Sequence, residues 1–265
     1  MIAIINGGTQ GLGEAVARRL AADGADGLVL AGRSADRGGA LATELTELGT
    51  DTLFVRADVA DPDAPATIVG ACIERFGAVT GLVNVAAATS RANLFTDTPD
   101  HVDQHFAVNV KAPYFLIQAA ARAMIERGTG GSIVNVGSTT GHGGQPKLTA
   151  YAMSKGALTI MTKNLAFALM HHRIRVNQVN PGWMETESEH RTQTEQDGAP
   201  ENWLDAANAS RPLGRLVQPW EVANAIAFCL SDASGVLTGN CIDVDQSVVG
   251  AGEPQVPRES DTIWP

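Results

Sequence analysis

Apolar and polar positions follow a regular order along the chain, in which short apolar runs alternate with longer amphipathic segments. The segments between the runs predict helices at about 12–23, 35–48, 62–76, 100–127, 150–171 and 219–230. The apolar runs predict strands at Ile2–Ile5, Leu28–Ala31, Leu53–Val55, Gly81–Val85, Ser132–Val136, Ile174–Val179 and Ile242–Val244. Apolar strands separated by helices are typical of a parallel sheet covered by helices on both faces. The predicted fold class is therefore α/β, with a doubly wound parallel seven-stranded sheet.

Two segments carry no clear periodicity. Residues 183–212 are unusually long for a connection inside a compact domain, and such a segment predicts a substrate lid. Residues 250–265 contain three prolines, and we expect this tail either to fray or to pack on a neighbouring surface through Trp264. A chain of 265 residues without a low-complexity linker is predicted to form a single domain, residues 1–265.

A glycine-rich turn follows the first predicted strand and opens the first predicted helix. In this position backbone N–H groups and the helix N-terminus can face a pyrophosphate, as they do in a Rossmann fold. A glycine turn without this context would be as readily explained by a tight turn alone. The strand–turn–helix context predicts dinucleotide contacts from Gly7, Thr9, Gln10, Gly11, Leu12 and Gly13.

The end of the second strand bears on the choice of cofactor. Arg33 and Ser34 stand there, and no carboxylate is present to bond a ribose 2′-hydroxyl or to repel a 2′-phosphate. Arg33 can clamp such a phosphate and Ser34 can donate to it, which favours NADP(H) over NAD(H). NAD(H) stays open, because Arg33 can also be a surface residue that happens to follow a strand.

Tyr151 and Lys155 are four residues apart, on one face of a predicted helix. A fixed ammonium favours a nearby phenolate and brings the pKa of tyrosine down from its ordinary value of ~10, so the pair can serve as a general acid/base. A buried tyrosine beside a solvated lysine is the alternative explanation, and the surrounding residues must decide between the two.

Two further polar residues are expected near this pair. Ser138 ends the fifth predicted strand, and ligands of open α/β sheets bind at that edge. Asn109 lies four residues before Pro113, which has no N–H to bond the Asn109 carbonyl. The free carbonyl can hold a water that links the backbone to Lys155 and gives protons an exit to solvent. A simple kink at Pro113 is the alternative.

These residues together resemble the short-chain dehydrogenase/reductase family, over nearly the whole chain. Gly7, Gly11 and Gly13 match its TGxxxGxG turn, in which Asn6 replaces threonine, and the Asn-Ser-Tyr-Lys tetrad is matched by Asn109, Ser138, Tyr151 and Lys155. The resemblance implies reversible hydride transfer between a nicotinamide cofactor and a carbonyl/alcohol pair. It further implies that Ser138 holds the substrate oxygen, Tyr151 exchanges its proton, Lys155 tunes Tyr151 and binds the nicotinamide ribose, and Asn109 keeps the relay water.

The resemblance also assigns residues outside the tetrad. It implies adenine contacts from Asp58 and Val59 and substrate contacts from His142 and Gln145, for which a loop without a ligand role is the alternative. Trp183 follows Pro181 and Gly182 and can cover the substrate, or pack the lid on the core. Asn84 and Ala86 stand where the family has NNAG, although Val85 and Ala87 depart from that motif. The nicotinamide-side loop is matched by Pro181, Gly182 and Thr186. Members commonly form homotetramers or dimers through the long fourth and fifth helices, so a homo-oligomer is expected.

Composition limits the partners. The net charge of −10 disfavours nucleic acid, and no apolar stretch reaches the ~20 residues of a membrane span. Met1 leads directly into a short apolar run without a basic region, so a cytoplasmic protein is expected. The three cysteines have no CxxC spacing, and His101 and His105 lack an evident third ligand, so no metal site is predicted.

The lid composition bears on the substrate. Two basic residues stand against seven acidic ones, Glu185, Glu187, Glu189, Glu195, Asp197, Glu201 and Asp205. Such a lid is a poor wall for a lipid, so we expect a small polar substrate such as a sugar, polyol or ketone. Two other functions stay open: a non-catalytic dinucleotide sensor, and a sugar-nucleotide epimerase or dehydratase, which normally requires a larger C-terminal domain.

Overall fold

The computed structural model describes residues 1–251 and contains one sheet of seven parallel strands. The strand order is β3-β2-β1-β4-β5-β6-β7. The strands are β1 (Ile2–Asn6), β2 (Gly27–Gly32), β3 (Thr52–Arg56), β4 (Gly81–Asn84), β5 (Gly131–Val136), β6 (Ile174–Pro181) and β7 (Cys241–Val244). All seven predicted strands are confirmed, with ends within two residues of those expected. The doubly wound α/β fold class is confirmed with them.

Nine α-helices lie among residues 1–251: α1 (Gly11–Ala22), α2 (Ala35–Glu47), α3 (Ala64–Phe76), α4 (Pro99–Phe106), α5 (Ala112–Arg127), α6 (Thr149–Leu169), α7 (Glu187–Arg191), α8 (Trp203–Ala209) and α9 (Pro219–Leu230). Helices α1, α2 and α9 pack on one face of the sheet, where Ile5 and Leu30 point. Helices α3, α5 and α6 pack on the other, with Ile4 and Val29. Side chains that alternate between two covered faces explain why the strands are apolar throughout.

The strand order reverses its direction at β1, which pairs with both β2 and β4. The chain therefore leaves β1 toward one edge of the sheet and later returns to build the other half. In open parallel sheets, ligands bind in the crevice outside the carboxyl ends of the strands at such a reversal. This crevice is where the candidate site lies.

The predicted helix at 100–127 is interrupted, so that part of the prediction is wrong. A π-helical turn at Ala107–Lys111 separates α4 from α5, directly before Pro113. A proline cannot donate to the carbonyl four residues earlier, so the chain adopts a wider turn at this point. The turn contains Asn109.

Segment 183–212 is more regular than its sequence indicates. It contains α7, a π-helical turn at Thr192–Gln196, and α8. The tail prediction, including Trp264, lies outside the described residues. Among residues 1–251, no helix combines the length and apolar character needed to cross a bilayer.

Candidate active site

A cavity of about 1050 Å³ runs along the carboxyl edge of the sheet and is covered on one side by the lid segment. Eighteen of the predicted site residues line it: Gly7, Thr9, Gln10, Gly11, Leu12, Arg33, Asp58, Val59, Ala86, Ser138, His142, Gln145, Tyr151, Lys155, Pro181, Gly182, Trp183 and Thr186. Four others, Gly13, Ser34, Asn84 and Asn109, lie outside its wall. The fold thus brings residues from the whole chain to one cleft, and the four outside it support their neighbours.

The glycine turn is shaped by close packing of backbone on backbone. A Cβ atom at Gly13 would lie 1.9 Å from the Gly7 carbonyl oxygen, and one at Gly7 would lie 2.6 Å from the Ala86 nitrogen. Gly7 also has φ of +83°, which favours glycine. Gly13 therefore lets helix and turn approach each other, and it need not line the cleft to be required.

The N-terminus of α1 fits an anionic ligand. Gln10 precedes the helix in an extended conformation and provides no side-chain cap, whereas Ser34, Thr98 and Thr186 cap α2, α4 and α7. The first N–H groups of a helix need partners, and a pyrophosphate supplies them. Gly11 and Leu12 at this end line the cavity. The residues present therefore fit a dinucleotide.

The arginine end of the cleft contains one residue that the sequence analysis missed. Arg33 is exposed and lines the cavity, whereas the Ser34 hydroxyl accepts a hydrogen bond from the Arg37 backbone N–H. The Arg37 guanidinium donates to Gln10 Oε1 at 2.6 Å and pairs with Glu187 of the lid at 3.1 Å. Arg37 lies in the first turn of α2, four residues after Arg33.

Asn84 belongs to a buried polar network beneath the cleft. Its side-chain amide donates to Asn135 Oδ1 at 2.9 Å, and the Asn135 amide donates to the Thr162 hydroxyl at 2.9 Å. Thr162 in turn donates to Gln178. This network joins β4, β5, α6 and β6 and fixes the floor of the site.

The proposed acid/base pair lies at the amino-terminal end of α6. Ser138 and Tyr151 line the same part of the cavity wall, and the Lys155 ammonium lies 5.6 Å from the centre of the Tyr151 ring. Lys155 Nζ donates to the Val136 carbonyl at 2.7 Å, and the side chain is 2% exposed.

Burial dominates the ionisation of this pair. Burial raises the pKa of Tyr151 to about 12, with a further increase from the Glu189 carboxylate, while the bond from Ser138 acts in the opposite direction. Burial lowers the pKa of Lys155 to about 8. Burial is therefore the main influence on the Tyr151 phenol in this structure, and the lowering effect expected of the Lys155 ammonium stays a prediction.

Asn109 connects the cleft wall to the helix that carries Tyr151. Its side-chain amide donates to the Ala88 carbonyl at 3.0 Å and to the Ser154 hydroxyl at 2.9 Å, and its oxygen accepts from the Ala88 N–H at 2.8 Å. The side chain is therefore fully committed to protein partners. It fixes the loop after β4 against α6.

The histidines occupy different surroundings. His142 bonds Asp243 at 3.1 Å, and Asp243 accepts from the Asn180 amide. His101 bonds Asp97 and Ser90, while His105 Nδ1 donates to the His101 carbonyl. Within residues 1–251, no three His, Cys, Asp or Glu side chains form a group that could hold a metal ion.

The lid end of the cleft is built around Trp183. Its ring stacks on Trp203 with centroids 6.0 Å apart, and the Arg211 guanidinium lies 5.4 Å from its centre. Its indole N–H donates to Glu189 Oε1 at 2.8 Å. Gln145 is exposed on the opposite wall.

Three of the seven lid carboxylates form ion pairs with arginines from outside the lid. Glu187 pairs with Arg37, whereas Glu189 and Asp197 both pair with Arg91, in the loop after β4. The acidic excess within 183–212 therefore does not describe the charge that a substrate meets. Arg37, Arg91 and Glu189 were not among the predicted site residues, because their pairing depends on residues distant in sequence.

Comparison with known proteins agrees with this geometry. A family model described as enoyl-(acyl carrier protein) reductase matches residues 7–247. An L-rhamnose 1-dehydrogenase (NAD(P)(+)) of Sphingomonas sp. (strain SKA58) is 34% identical over 243 residues, 91% of this chain and 93% of the relative. A 4-formylbenzenesulfonate dehydrogenase of Comamonas testosteroni is 37% identical over 247 residues, 92% and 96% of the two chains.

The solved structures are similar in the same way. An actinorhodin polyketide ketoreductase variant with NADPH has a TM-score of 0.87 at 29% identity, covering 92% of this chain and 95% of that one. Fold, cleft and matches together define an NAD(P)-dependent oxidoreductase of CH–OH/C=O pairs. The chain belongs to the short-chain dehydrogenase/reductase family, which confirms the resemblance.

Proposed function

We propose that this oxidoreductase acts on a small polar carbonyl or alcohol compound, such as a sugar, polyol or ketone, and that it prefers NADP(H). The observation that carries the proposal is the cleft itself, in which Ser138, Tyr151 and Lys155 share one cavity with the uncapped N-terminus of α1. The polar wall formed by Gln145, Glu189 and the network around His142 supports a polar substrate, as do the relatives that act on L-rhamnose and on 4-formylbenzenesulfonate.

The four residues of the tetrad have different roles in the proposed reaction. The Ser138 hydroxyl orients the substrate oxygen, and the Tyr151 phenol gives a proton to the carbonyl on reduction or takes one from the alcohol on oxidation. A phenol whose pKa is about 12 is protonated at neutral pH and is ready to act as the acid. A bound nicotinamide supplies or accepts the hydride.

Lys155 and Asn109 have supporting roles in this mechanism. Lys155 places its ammonium beside Tyr151, where it stabilises the phenolate that proton donation leaves, and it is the residue that would hold the nicotinamide ribose. Asn109 is a positioning residue, since its side chain fixes the loop at Ala88 against α6. The lid segment, through Trp183 and Glu189, keeps water from the reacting atoms.

The preference for NADP(H) rests on charge at the end of β2. Arg33 is exposed in the cleft with no carboxylate partner among residues 1–251, and Arg37 lies close by. An unpaired guanidinium suits a 2′-phosphate. Arg37 is held by Glu187, which leaves Arg33 as the principal contact.

A homotetramer is supported by two exposed apolar faces. One lies on α5 and α6 and includes Tyr114, Phe115, Ile160 and Phe167; the other includes Trp220, Phe228 and Val236 on or beside α9. Exposed apolar clusters of this kind mark interaction surfaces. Two separate faces on one chain generate a dimer of dimers.

The experiment is a carbonyl and alcohol panel with NADPH, NADH and their oxidised forms, followed at the nicotinamide absorbance. Sugars, polyols, small ketones, steroids and acyl substrates are compared by kcat/KM. We expect turnover with the polar compounds and NADP(H). A kcat/KM for lipids well above that for every polar compound would contradict the substrate proposal, and binding of cofactor without any turnover would favour a sensor.

A further inference from the structure

We propose that Glu189 recognises a hydroxyl group next to the reacting carbon, so that the substrate is an α-hydroxy carbonyl compound or the matching vicinal diol. The inference rests on the proposed function and narrows its substrate class. Glu189 lines the cavity, and its side chain is 20% exposed. The arrangement of its two carboxylate oxygens carries the argument.

One oxygen of Glu189 is saturated. Oε1 accepts from the Trp183 indole N–H at 2.8 Å, from the Gln193 amide at 2.7 Å and from the Arg91 guanidinium at 3.3 Å. The backbone is fixed as well, because the Glu189 N–H donates to the Thr186 hydroxyl at 3.0 Å. Three hydrogen bonds to Oε1 and one from the backbone N–H therefore hold Glu189 in one orientation.

The other oxygen is available. Among residues 1–251, no donor reaches Glu189 Oε2, although a carboxylate oxygen can accept two hydrogen bonds. The carboxylate belongs to the cavity wall, so Oε2 can accept a hydrogen bond from a ligand in the cleft. The carboxylate is partly exposed, so a ligand donor can reach this oxygen and form a charge-assisted hydrogen bond.

The position of this oxygen relative to the reaction is set by Tyr151. Glu189, Ser138 and Tyr151 line the same cavity, so the carboxylate and the proton-transfer group face the same space. The increase that Glu189 causes in the pKa of Tyr151 agrees with this placement. A substrate whose carbonyl oxygen meets Tyr151 and Ser138 therefore presents a neighbouring substituent to Glu189. That substituent must be a donor, because an ionised carboxylate only accepts.

The donor is a neutral hydroxyl rather than a cation. Arg91 already balances the charge of Glu189, and Arg211 adds a further positive charge at the same end of the cleft. An ammonium group would meet both guanidinium groups. A hydroxyl is not repelled by these guanidinium groups, and it forms a charge-assisted hydrogen bond with the carboxylate.

Three ketones of one skeleton test this: 3-hydroxy-2-butanone, 3-methoxy-2-butanone and 2-butanone. The methoxy compound keeps the oxygen but has no donor, and butanone lacks both. We expect the wild-type kcat/KM for the hydroxy ketone to exceed the other two by about 10- to 100-fold, the range for a hydrogen bond to a charged group. Equal values for the hydroxy and methoxy ketones would overturn the inference.

Glu189→Gln is the informative variant. Its amide oxygen can keep the three donors, while its NH₂ group takes the place of Oε2 and donates equally to a hydroxyl or a methoxy oxygen. We expect the hydroxy-to-methoxy ratio to fall to about 1. The ratio is the readout, because loss of the Glu189 charge also acts on Tyr151 and changes the rate for all three ketones together. Glu195→Gln makes the same charge change at an exposed lid position and should keep the wild-type ratio.

The outcomes separate the two proposals. A variant that keeps the wild-type ratio, or loses all three ketones equally, contradicts the role of Glu189 but leaves the oxidoreductase function standing. Failure of the wild type to reduce any of the three, with cofactor bound, counts against the proposed substrate class itself. If Glu189→Gln fails to fold by circular dichroism, the wild-type ratio still decides.

Discussion

At the residue scale, the proposed proton transfer depends on the Tyr151 hydroxyl, so this hydroxyl is the first group to remove. Tyr151→Phe keeps the ring and its packing, and we expect kcat to fall by ~10²-fold or more with cofactor affinity near normal. Steady-state kinetics and cofactor titration by fluorescence measure the two quantities. Full activity in this variant would leave the phenol without a role.

The free energy of unfolding is expected to depend on pH through Lys155, and the direction of this dependence follows from the Lys155 pKa. Its pKa is about 8 in the folded protein and 10.5 when unperturbed, so between these values the unfolded chain binds more protons at this position. Stability contributed by this group therefore rises with pH from about 8. Tyr151 opposes it only above its own unperturbed value of 10.0.

We therefore expect the wild type to become more stable relative to Lys155→Met as the pH rises. From pH 8 to 9.5 the difference in free energy of unfolding should change by about 1–2 kcal/mol in favour of the wild type. Urea unfolding of both proteins without cofactor, at constant ionic strength, provides the measurement. A constant difference would mean that Lys155 is solvated as in a free side chain.

The proposed preference for NADP(H) can be tested at Arg33. Arg33→Ala should weaken NADPH binding by ~1.5–3 kcal/mol and leave NADH little changed, because only NADPH carries the 2′-phosphate. Arg56→Ala removes an equally exposed guanidinium from a smaller neighbouring cavity and serves as the control for general loss of positive charge. Equal losses for both cofactors would contradict the assignment.

At the element scale, the strands and the long helices were predictable because each buries a periodic apolar face. The lid helices were not, since α7 has five residues and α8 has seven, too short for a period of 3.6 to be recognised. Pro113 indicated an irregularity near Asn109 but not that it would be a π-helical turn. The Glu187–Arg37 contact spans 150 positions, and no local pattern predicts it.

The glycine turn allows a matched pair of glycine substitutions. At Gly13 an added Cβ would lie 1.9 Å from the Gly7 carbonyl oxygen, so Gly13→Ala should destabilise the fold by ~2 kcal/mol and impair cofactor binding. Gly39, within α2, has nothing within 4 Å of an added Cβ, and Gly39→Ala should stabilise by ~0.5–1 kcal/mol. Denaturant unfolding compares the two, and similar effects would refute the packing argument.

At the scale of the whole molecule, the seven-stranded parallel sheet and the place of the cleft followed from the sequence, whereas the charge of the cleft did not. The acidic excess of the lid does not include Arg91, which lies outside the lid. Arg91 is about a hundred positions from Glu189 in the chain but contacts it in the structure. The predicted polar character of the substrate stays a proposal, and it now rests on the wall of the cavity instead of the lid composition.

The assembly can be tested at one side chain. Phe167 on α6 is 80% exposed, and Phe167→Glu should convert the assembly to a smaller species by placing charges in an apolar contact. Leu48→Glu, at an isolated position that is 72% exposed, should leave the assembly unchanged. Light scattering after size-exclusion chromatography measures both, and a wild type that elutes as a monomer would remove the proposal.

The short helix α7 touches both halves of the cleft, since Glu187 pairs with Arg37 at the cofactor end and Glu189 with Arg91 at the substrate end. A rigid piece of five residues cannot shift at one anchor and stay still at the other. Affinity for the dinucleotide and affinity for the substrate are thereby thermodynamically linked, and such linkage is reciprocal. A substitution of Arg37, which anchors α7 through Glu187, is consequently expected to change substrate affinity as well.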